Sequence, residues 1–338
     1  MGKSLITGID IGHYSIKAVV LKPASEGYSL VSFKELPISA SVFSDNHSVD
    51  HQEIVKKLTE LRKSLPLFSR RVAMSIPDNA VISKVLRIDN DLDERETEFA
   101  IYQAFSHQSP FAIEDLSLDF VKVDDSSKTP TVAYQVYATK REVVDSRYAA
   151  AKKAGFTPVL FDAQAHSLVS LWQLMASQTG SRNWLLADIG YTQTSLCMDF
   201  INTPPFCKDI ALGTQFMDQE SSSMNSLLEN RAEQFIPLMI ERLQRQLQML
   251  MSMKGTPKVA GIWLSGGGAT TSMLVDEIER KLGIECQLFN PFNLFRCTSS
   301  RKLSRRQALS LQQESNRFST AAGIAIRAND WLEASDVS

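Results

Sequence analysis

A chain of 338 residues, 43% hydrophobic and 22% charged, is long enough for more than one core and has the balance of a globular protein. Its net charge of −2 gives no global field that would draw it to nucleic acid, and no run of about twenty apolar residues is present to span a membrane. Four widely spaced cysteines (Cys197, Cys207, Cys286, Cys297) form no Cys-x-x-Cys pair, which favours reduced thiols in a cytosolic protein over a disulfide framework or a zinc site.

The N-terminal segment has no apolar signal core and runs straight into a strand. Residues 5–11 and 16–21 predict a β-hairpin closed by Gly12 to Ser15, with Tyr28 to Phe33 as a third strand. A polar stretch, 37–50, precedes a helix at about 51–63, where Ile54, Leu58 and Leu61 fall at helical spacing. Val72 to Ile76 and Val81 to Ile88 predict strands around the turn Pro77-Asp78-Asn79. Asp93 and Glu96 form a capping box for a helix to about His107, on which Phe99, Tyr102 and Phe105 recur every three residues. Strands at about 116–123 and 131–139 follow, then a helix from Glu142 to Ala154 ending at Gly155. Strand–helix–strand–strand–helix–strand over 82–159 predicts a compact α+β unit, inserted as a module.

A helix from Gln164 to about Ala176 leads into the strand Trp184 to Asp188. Residues 218–254 read as mainly helical, with an apolar stripe of Ile236, Ile240, Leu243, Leu247 and Leu250. Val259 to Leu264 predicts a strand ending in Ser265-Gly266-Gly267-Gly268, followed by a helix carrying Leu274, Ile278 and Leu282. Residues 296–317 are polar and basic, and Ser319 to Leu332 predicts the last helix.

One short pattern occurs twice. Ile9-Asp10-Ile11-Gly12 is followed by Lys17; Ala187-Asp188-Ile189-Gly190 is followed by Thr192 and Thr194. A glycine after a buried strand lets the backbone approach a phosphate closely, and its amide can donate to it. The aspartate is placed to hold a metal ion through water, and Lys17 to meet β- and γ-phosphates. Two such hairpins predict a nucleotide clamped between related lobes. The glycine run at 266–268 permits backbone contact with a flat ligand. Neither a Gly-x-Gly-x-x-Gly fingerprint nor a P-loop occurs. His47 and His51, four apart near Asp45 and Asp50, read as a polar loop rather than a metal site, and His166 as packed or capping. Arg296, Arg301, Lys302, Arg305 and Arg306 read as a solvated loop before they read as a lipid contact.

Taken in order, these features resemble the actin-like ATPase fold: two ribonuclease-H-like α/β lobes carrying an inserted FtsA-type 1C subdomain. Within it the chain resembles the PilM family of type IV pilus assembly proteins. The carrying stretches are Gly8 to Gly12 with Ser15 to Lys17, Ser109 to Phe120, Ala138 to Val144, Ala154 to Pro158, Leu264 to Gly268 and Asn290 to Phe292. The resemblance implies lobe 1A over 1–81, 160–186 and 319–338, the insert over 82–159, lobe 2A over 187–217 and 257–318, and a helical subdomain 2B over 218–256. It implies ATP or ADP with Mg²⁺, the metal beside Asp10 and Asp188 through water. Gly12, His13, Tyr14, Ser15 and Lys17 would form one phosphate loop, and Gly190, Tyr191, Thr192 and Thr194 the other. Gly266, Gly267 and Gly268 would lie against the adenosine. Gln164 would orient the attacking water, and as a neutral amide is a poor base, so at most slow ATP hydrolysis is expected.

The family likeness further implies a cytoplasmic scaffold held at the inner membrane by the N-terminal tail of PilN, in a groove between the first lobe and the insert. PilO, the membrane platform and its motor ATPases would be indirect partners. Only a short acidic tail follows the last helix, unlike the membrane-targeting end of FtsA, so membrane contact is expected to come from a partner. The competing readings are a sugar or acetate-type kinase of the same fold, and a paralogous FtsA-like or secretion-system scaffold. A kinase needs a carboxylate base beside a sugar-sized pocket, and no acceptor motif is visible.

Overall fold

The computed structural model describes residues 5–38, 51–123, 130–200, 203–218, 231–253, 257–297 and 314–335. In chain order the elements are β1 (Ile6–Ile11), β2 (Ser15–Pro23), β3 (Tyr28–Pro37), α1 (His51–Ser64), β4 (Arg71–Ile76), β5 (Val81–Asp89), α2 (Glu94–Ser106), β6 (Leu116–Lys122), β7 (Thr131–Lys140), α3 (Arg141–Lys153) and β8 (Thr157–Ala163). There follow α4 (Gln164–Thr179), β9 (Trp184–Ile189), β10 (Thr194–Phe200), β11 (Thr203–Ile210), α5 (Gln215–Asp218), α6 (Arg231–Ser252), β12 (Gly261–Ser265), α7 (Leu274–Leu282), β13 (Glu285–Leu288), β14 (Arg296–Cys297) and α8 (Ser319–Ser335).

The strands form a six-stranded sheet, β14-β3-β2-β1-β4-β8, a five-stranded sheet, β11-β10-β9-β12-β13, and a three-stranded sheet, β5-β7-β6. Residues of β1 alternate between two faces, as strand geometry requires. Ile9 and Ile11 pack with Ile54, Leu58 and Leu61 of α1, whereas Ile6 packs with Ile324 and Ala328 of α8. On the far side of α8 lies α4. A Cβ at Gly323 would overlap the Ser167 carbonyl, and one at Gly8 would overlap the Ala321 carbonyl, so bare glycines let α8 lie against both β1 and α4. One large core runs from Val19 and Leu21 of the first sheet through Leu168 and Trp172 of α4 to Leu186, Met198 and Ile262 of the second sheet, and on to α6 and α7. The two helices α4 and α8 are therefore the middle layer between two sheets.

Packing redraws the expected insert. The three-stranded sheet and α2 share a small core of their own, including Leu86, Ile101, Phe105 and Val136. On α2 the inward residues are Thr97, Ile101 and Phe105, while Phe99 is exposed, because a spacing of four holds one helical face and a spacing of three drifts off it. The capping box at Asp93 and Glu96 is present. The helix α3 does not complete this unit: Ala150 and Ala151 join the α1 core of the first sheet, and β8 pairs in parallel with β4. Likewise α6 has no core of its own among the described residues. Phe235, Met239, Leu243 and Leu247 bury against the five-stranded sheet.

The strand β11, which the sequence analysis does not predict, carries Pro204 and Pro205. As an edge strand it tolerates them. In the basic stretch, Arg296–Cys297 pairs with β3, and Arg296 forms an ion pair with Glu26. Arg301, Lys302, Arg305, Arg306 and His47 lie outside the described residues, and so does the His51 side chain. His166 is packed: its ring meets Tyr137 edge-on at 4.5 Å, and Nδ1 lies 2.6 Å from Asp162 Oδ1. Among the described residues, no group of three His, Cys, Asp or Glu could hold a metal, and no helix is long and apolar enough to cross a membrane.

Candidate functional site

The two Asp-x-Gly turns have one geometry. The Gly12 N–H donates to the Ser15 carbonyl at 3.1 Å, and the Gly190 N–H donates to the Gln193 carbonyl at 2.9 Å. Both turns open on a single cavity of about 410 Å³ between the sheets. Asp10, Gly12, His13, Tyr14, Ser15 and Lys17 line it from one side, and Asp188, Gly190, Tyr191 and Thr192 from the other. The turns also touch: the Tyr14 and Tyr191 rings are 5.7 Å apart, and Thr192 Oγ1 lies 3.4 Å from His13 Nδ1.

Register explains how the charged groups meet. Asp10 and Lys17 are opposed across the β1–β2 hairpin, which puts Lys17 Nζ 3.7 Å from Asp10 Oδ2. Ser75 from β4 donates to Asp10 Oδ1 at 3.1 Å. Ser15 donates to Glu35 at 2.6 Å, and Arg317 pairs with the other Glu35 oxygen at 3.6 Å. Asp188 is more deeply placed. Desolvation pushes its carboxyl up to about 6; a hydrogen bond from Ser265 opposes this, and the nearby charge of Asp10 adds to it. Its Oδ1 is buried without a hydrogen-bond partner. An orphaned carboxylate oxygen and a second carboxylate on one cavity suit a hard divalent cation such as Mg²⁺.

The glycine turn closes one wall. Gly266, at φ +85°, donates to the Asn316 carbonyl at 2.8 Å, and Asn316 Nδ2 returns a bond to the Gly266 carbonyl at 2.6 Å. Any side chain at Gly266 would run into the Ile189 carbonyl, whereas Gly267 has nothing within 4 Å of a built Cβ. Gly266 and Gly267 line the cavity. Gln164, the first residue of α4, lines it too, and the neighbouring Ala165 N–H donates to Asp78 Oδ1 at 2.9 Å.

Two expected residues lie elsewhere. Thr194 is wholly buried in the second sheet, where its hydroxyl donates to the Leu212 carbonyl at 2.8 Å. It is the first residue of β10, whereas Thr192 lies in the turn before the strand, so the two hydroxyls are placed by different backbone conformations. Gly268 packs against Ile189 and does not line the cavity. The sequence reading missed Glu35, Ser75, Thr214, Thr271, Arg317 and Thr320, which also line it. Thr214 had a signal: its N–H donates to the Gly190 carbonyl, made possible by Gly213, where a side chain would strike Tyr191.

A second cavity, about 650 Å³, lies between the three-stranded sheet and the first sheet. It is bordered by Ser117–Val121 of β6 and Pro158–Asp162 of β8, each the last strand of its sheet. Arg327 donates to Asp162 Oδ2 at 2.8 Å at its rim. Burial acts against the Asp162 carboxylate, but the His166 hydrogen bond and the Arg327 charge outweigh it and hold its pKa below the usual range.

Solved structures resemble this chain along nearly its whole length. A PilM-PilN type IV pilus biogenesis complex matches at 21% identity over 97% of this chain and 98% of that one, with a TM-score of 0.76. The ethanolamine utilization protein EutJ from Carboxydothermus hydrogenoformans matches at 14% identity over 96% and 90%, with a TM-score of 0.51. A diol dehydratase-reactivating factor in nucleotide-free form matches at 8% identity over 97% and 100%, with a TM-score of 0.52. These likenesses give the actin-like ATPase fold. The family model for the type IV pilus assembly protein PilM matches residues 8–235 and 225–329. The chain belongs to the PilM family of type IV pilus assembly proteins.

Proposed function

We propose that the protein is a nucleotide-binding scaffold of the type IV pilus inner-membrane assembly complex, holding ATP or ADP with Mg²⁺ in the cleft and the N-terminal tail of PilN in the second groove. What carries the nucleotide reading is the pair of equivalent Asp-x-Gly turns on one cavity with the unpartnered Asp188 Oδ1 between them. The Gly12 and Gly190 turns and Lys17 would take the phosphates, Gly266 and Gly267 the nucleoside, and Asp10 and Asp188 the hydrated metal. The metal would supply positive charge to offset that of the phosphates. Gln164 would orient a water, and an amide there favours slow hydrolysis, with nucleotide acting chiefly as a conformational ligand. Held through PilN, the protein would lie in the cytoplasm against the inner membrane.

The groove supports the partner reading because both of its walls are edge strands. An extended peptide can add backbone hydrogen bonds to such an edge while its alternate side chains enter pockets. Calorimetry tests both halves. Mg-ATP should bind, and Asp188→Asn should weaken binding at least about tenfold, or roughly 1.4 kcal/mol, without lowering the melting temperature. Unchanged affinity in the variant would remove the metal assignment. A synthetic PilN N-terminal peptide should bind at micromolar strength and protect residues 116–122 and 157–163 from hydrogen exchange. Protection confined to other strands would move the partner site.

A further inference from the structure

The strands β1, β4 and β8 run parallel and bring their C-terminal ends toward the cleft. Their first residues therefore lie at the opposite edge of the sheet, as do the last turns of α1 and α3. There the loop between α1 and β4 holds Leu67 73% exposed and Phe68 86% exposed, side by side.

This loop is braced. Arg62, in the last turn of α1, donates to the Pro66 and Leu67 carbonyls at 3.5 and 2.8 Å. Ser69 donates to the Pro66 carbonyl through both its backbone N–H and its hydroxyl, at 3.1 and 2.6 Å. Thr7 of β1 donates to the Ser69 carbonyl at 3.1 Å, and Leu65 is buried beneath. Two large apolar side chains are thus presented to water on a pre-shaped turn, with little ordering entropy left to lose on binding.

The rim is basic. Lys63 and Arg70 flank the tip and are exposed. The helix α3 delivers Lys152 and Lys153, also exposed, to the same edge, because the Thr157 N–H donates to the Arg70 carbonyl at 2.8 Å. Neither 61–71 nor 146–161 contains an aspartate or glutamate, in a chain whose net charge is −2. A projecting two-residue tip is far too small for a stable protein interface, which takes about 1,000 Å². A bilayer accepts such a wedge at its headgroup boundary, and anionic headgroups complement the rim.

We infer that the Leu67–Phe68 loop and its basic rim dock on an anionic lipid bilayer, the two apolar side chains entering among the headgroups and the cleft opening away from the membrane. The contact is made by this chain itself and does not depend on a bound nucleotide or peptide.

Co-sedimentation of the full chain with vesicles tests it. The protein should pellet with phosphatidylcholine vesicles containing roughly 30% phosphatidylglycerol at low salt, not with phosphatidylcholine alone, and should be released at about 0.3 M salt. The double variant Leu67→Ser with Phe68→Ser removes only exposed side chains. It should keep its melting temperature and lose at least about fivefold in bound fraction; Lys152→Glu with Lys153→Glu should do the same. Phe68→Trp should show a blue-shifted emission only with the anionic vesicles. No pelleting at low salt, equal pelleting of the double variant, or an unshifted Phe68→Trp emission overturns the inference. So does self-association that the double variant abolishes, which would assign the tip to a second copy of the chain.

Discussion

Asp78 caps a helix 87 positions away: its Oδ1 accepts the Ala165 N–H at 2.9 Å, at the N-terminus of α4. A turn after β4 thereby fixes the helix whose first residue, Gln164, lines the cleft. Burial pushes the Asp78 carboxyl up to about 7; the Ala165 hydrogen bond and the His166 charge pull it down, and Asp209 and Asp162 push it further up. Its folded pKa lies above the unfolded value of 3.8, so the stabilisation is complete below about 4 and is lost as the pH rises through about 7. Asp78→Asn keeps an acceptor oxygen without the charge. Its stability relative to wild type should rise from pH 4 to pH 8, by on the order of 4 kcal/mol at most. Thermal melts of both proteins across that range check this; parallel curves would mean that Asp78 stays ionised throughout.

Two glycines, Gly323 at the α4–α8 contact and Gly267 on the cleft wall, should separate packing from binding. Gly323→Ala places a methyl against the Ser167 carbonyl and so pushes α8 off α4. Overpacking against backbone should outweigh the gain of about 1 kcal/mol in helix propensity, giving a net loss of about 2 kcal/mol in denaturant melts. Gly267→Ala meets nothing, so stability should hold. Nucleotide affinity, measured on the same sample, should fall, because the added methyl projects where the nucleoside is proposed to lie.

Thr194→Val removes the hydroxyl that satisfies the buried Leu212 carbonyl. A loss of about 1–3 kcal/mol is expected in urea melts. Nucleotide affinity well below the melting temperature should match wild type, since Thr194 lies behind the strand and not in the cavity. A variant that melts normally but binds poorly would return Thr194 to the phosphate turn.

Much of the site could be read before folding, and the reasons are local. A buried strand broken by Asp-x-Gly announces a tight turn, and two copies announce a pair; that the glycine amides close the turns on Ser15 and Gln193 is visible only in the structure. Asp10 and Lys17 meet because hairpin register places them opposite one another. What could not be read depends on distance along the chain. Glu35 and Arg317 meet beside Ser15, and Ser75 reaches Asp10 from a parallel strand. No spacing rule joins such pairs. The same holds for α3, whose apolar face fits either neighbouring sheet and lies against α1.

Taken alone, the sequence determined the local pieces: hairpins, caps, glycine turns and the residue types gathered at each phosphate-like loop, because these follow from backbone sterics and short-range hydrogen bonds. The tertiary structure decided which pieces share a core and which side chains face the cleft. Those outcomes turn on which apolar faces bury one another and on where a turn gives way to a strand: Thr192, in the turn, lines the cavity, and Thr194, the first residue of β10, is buried behind it.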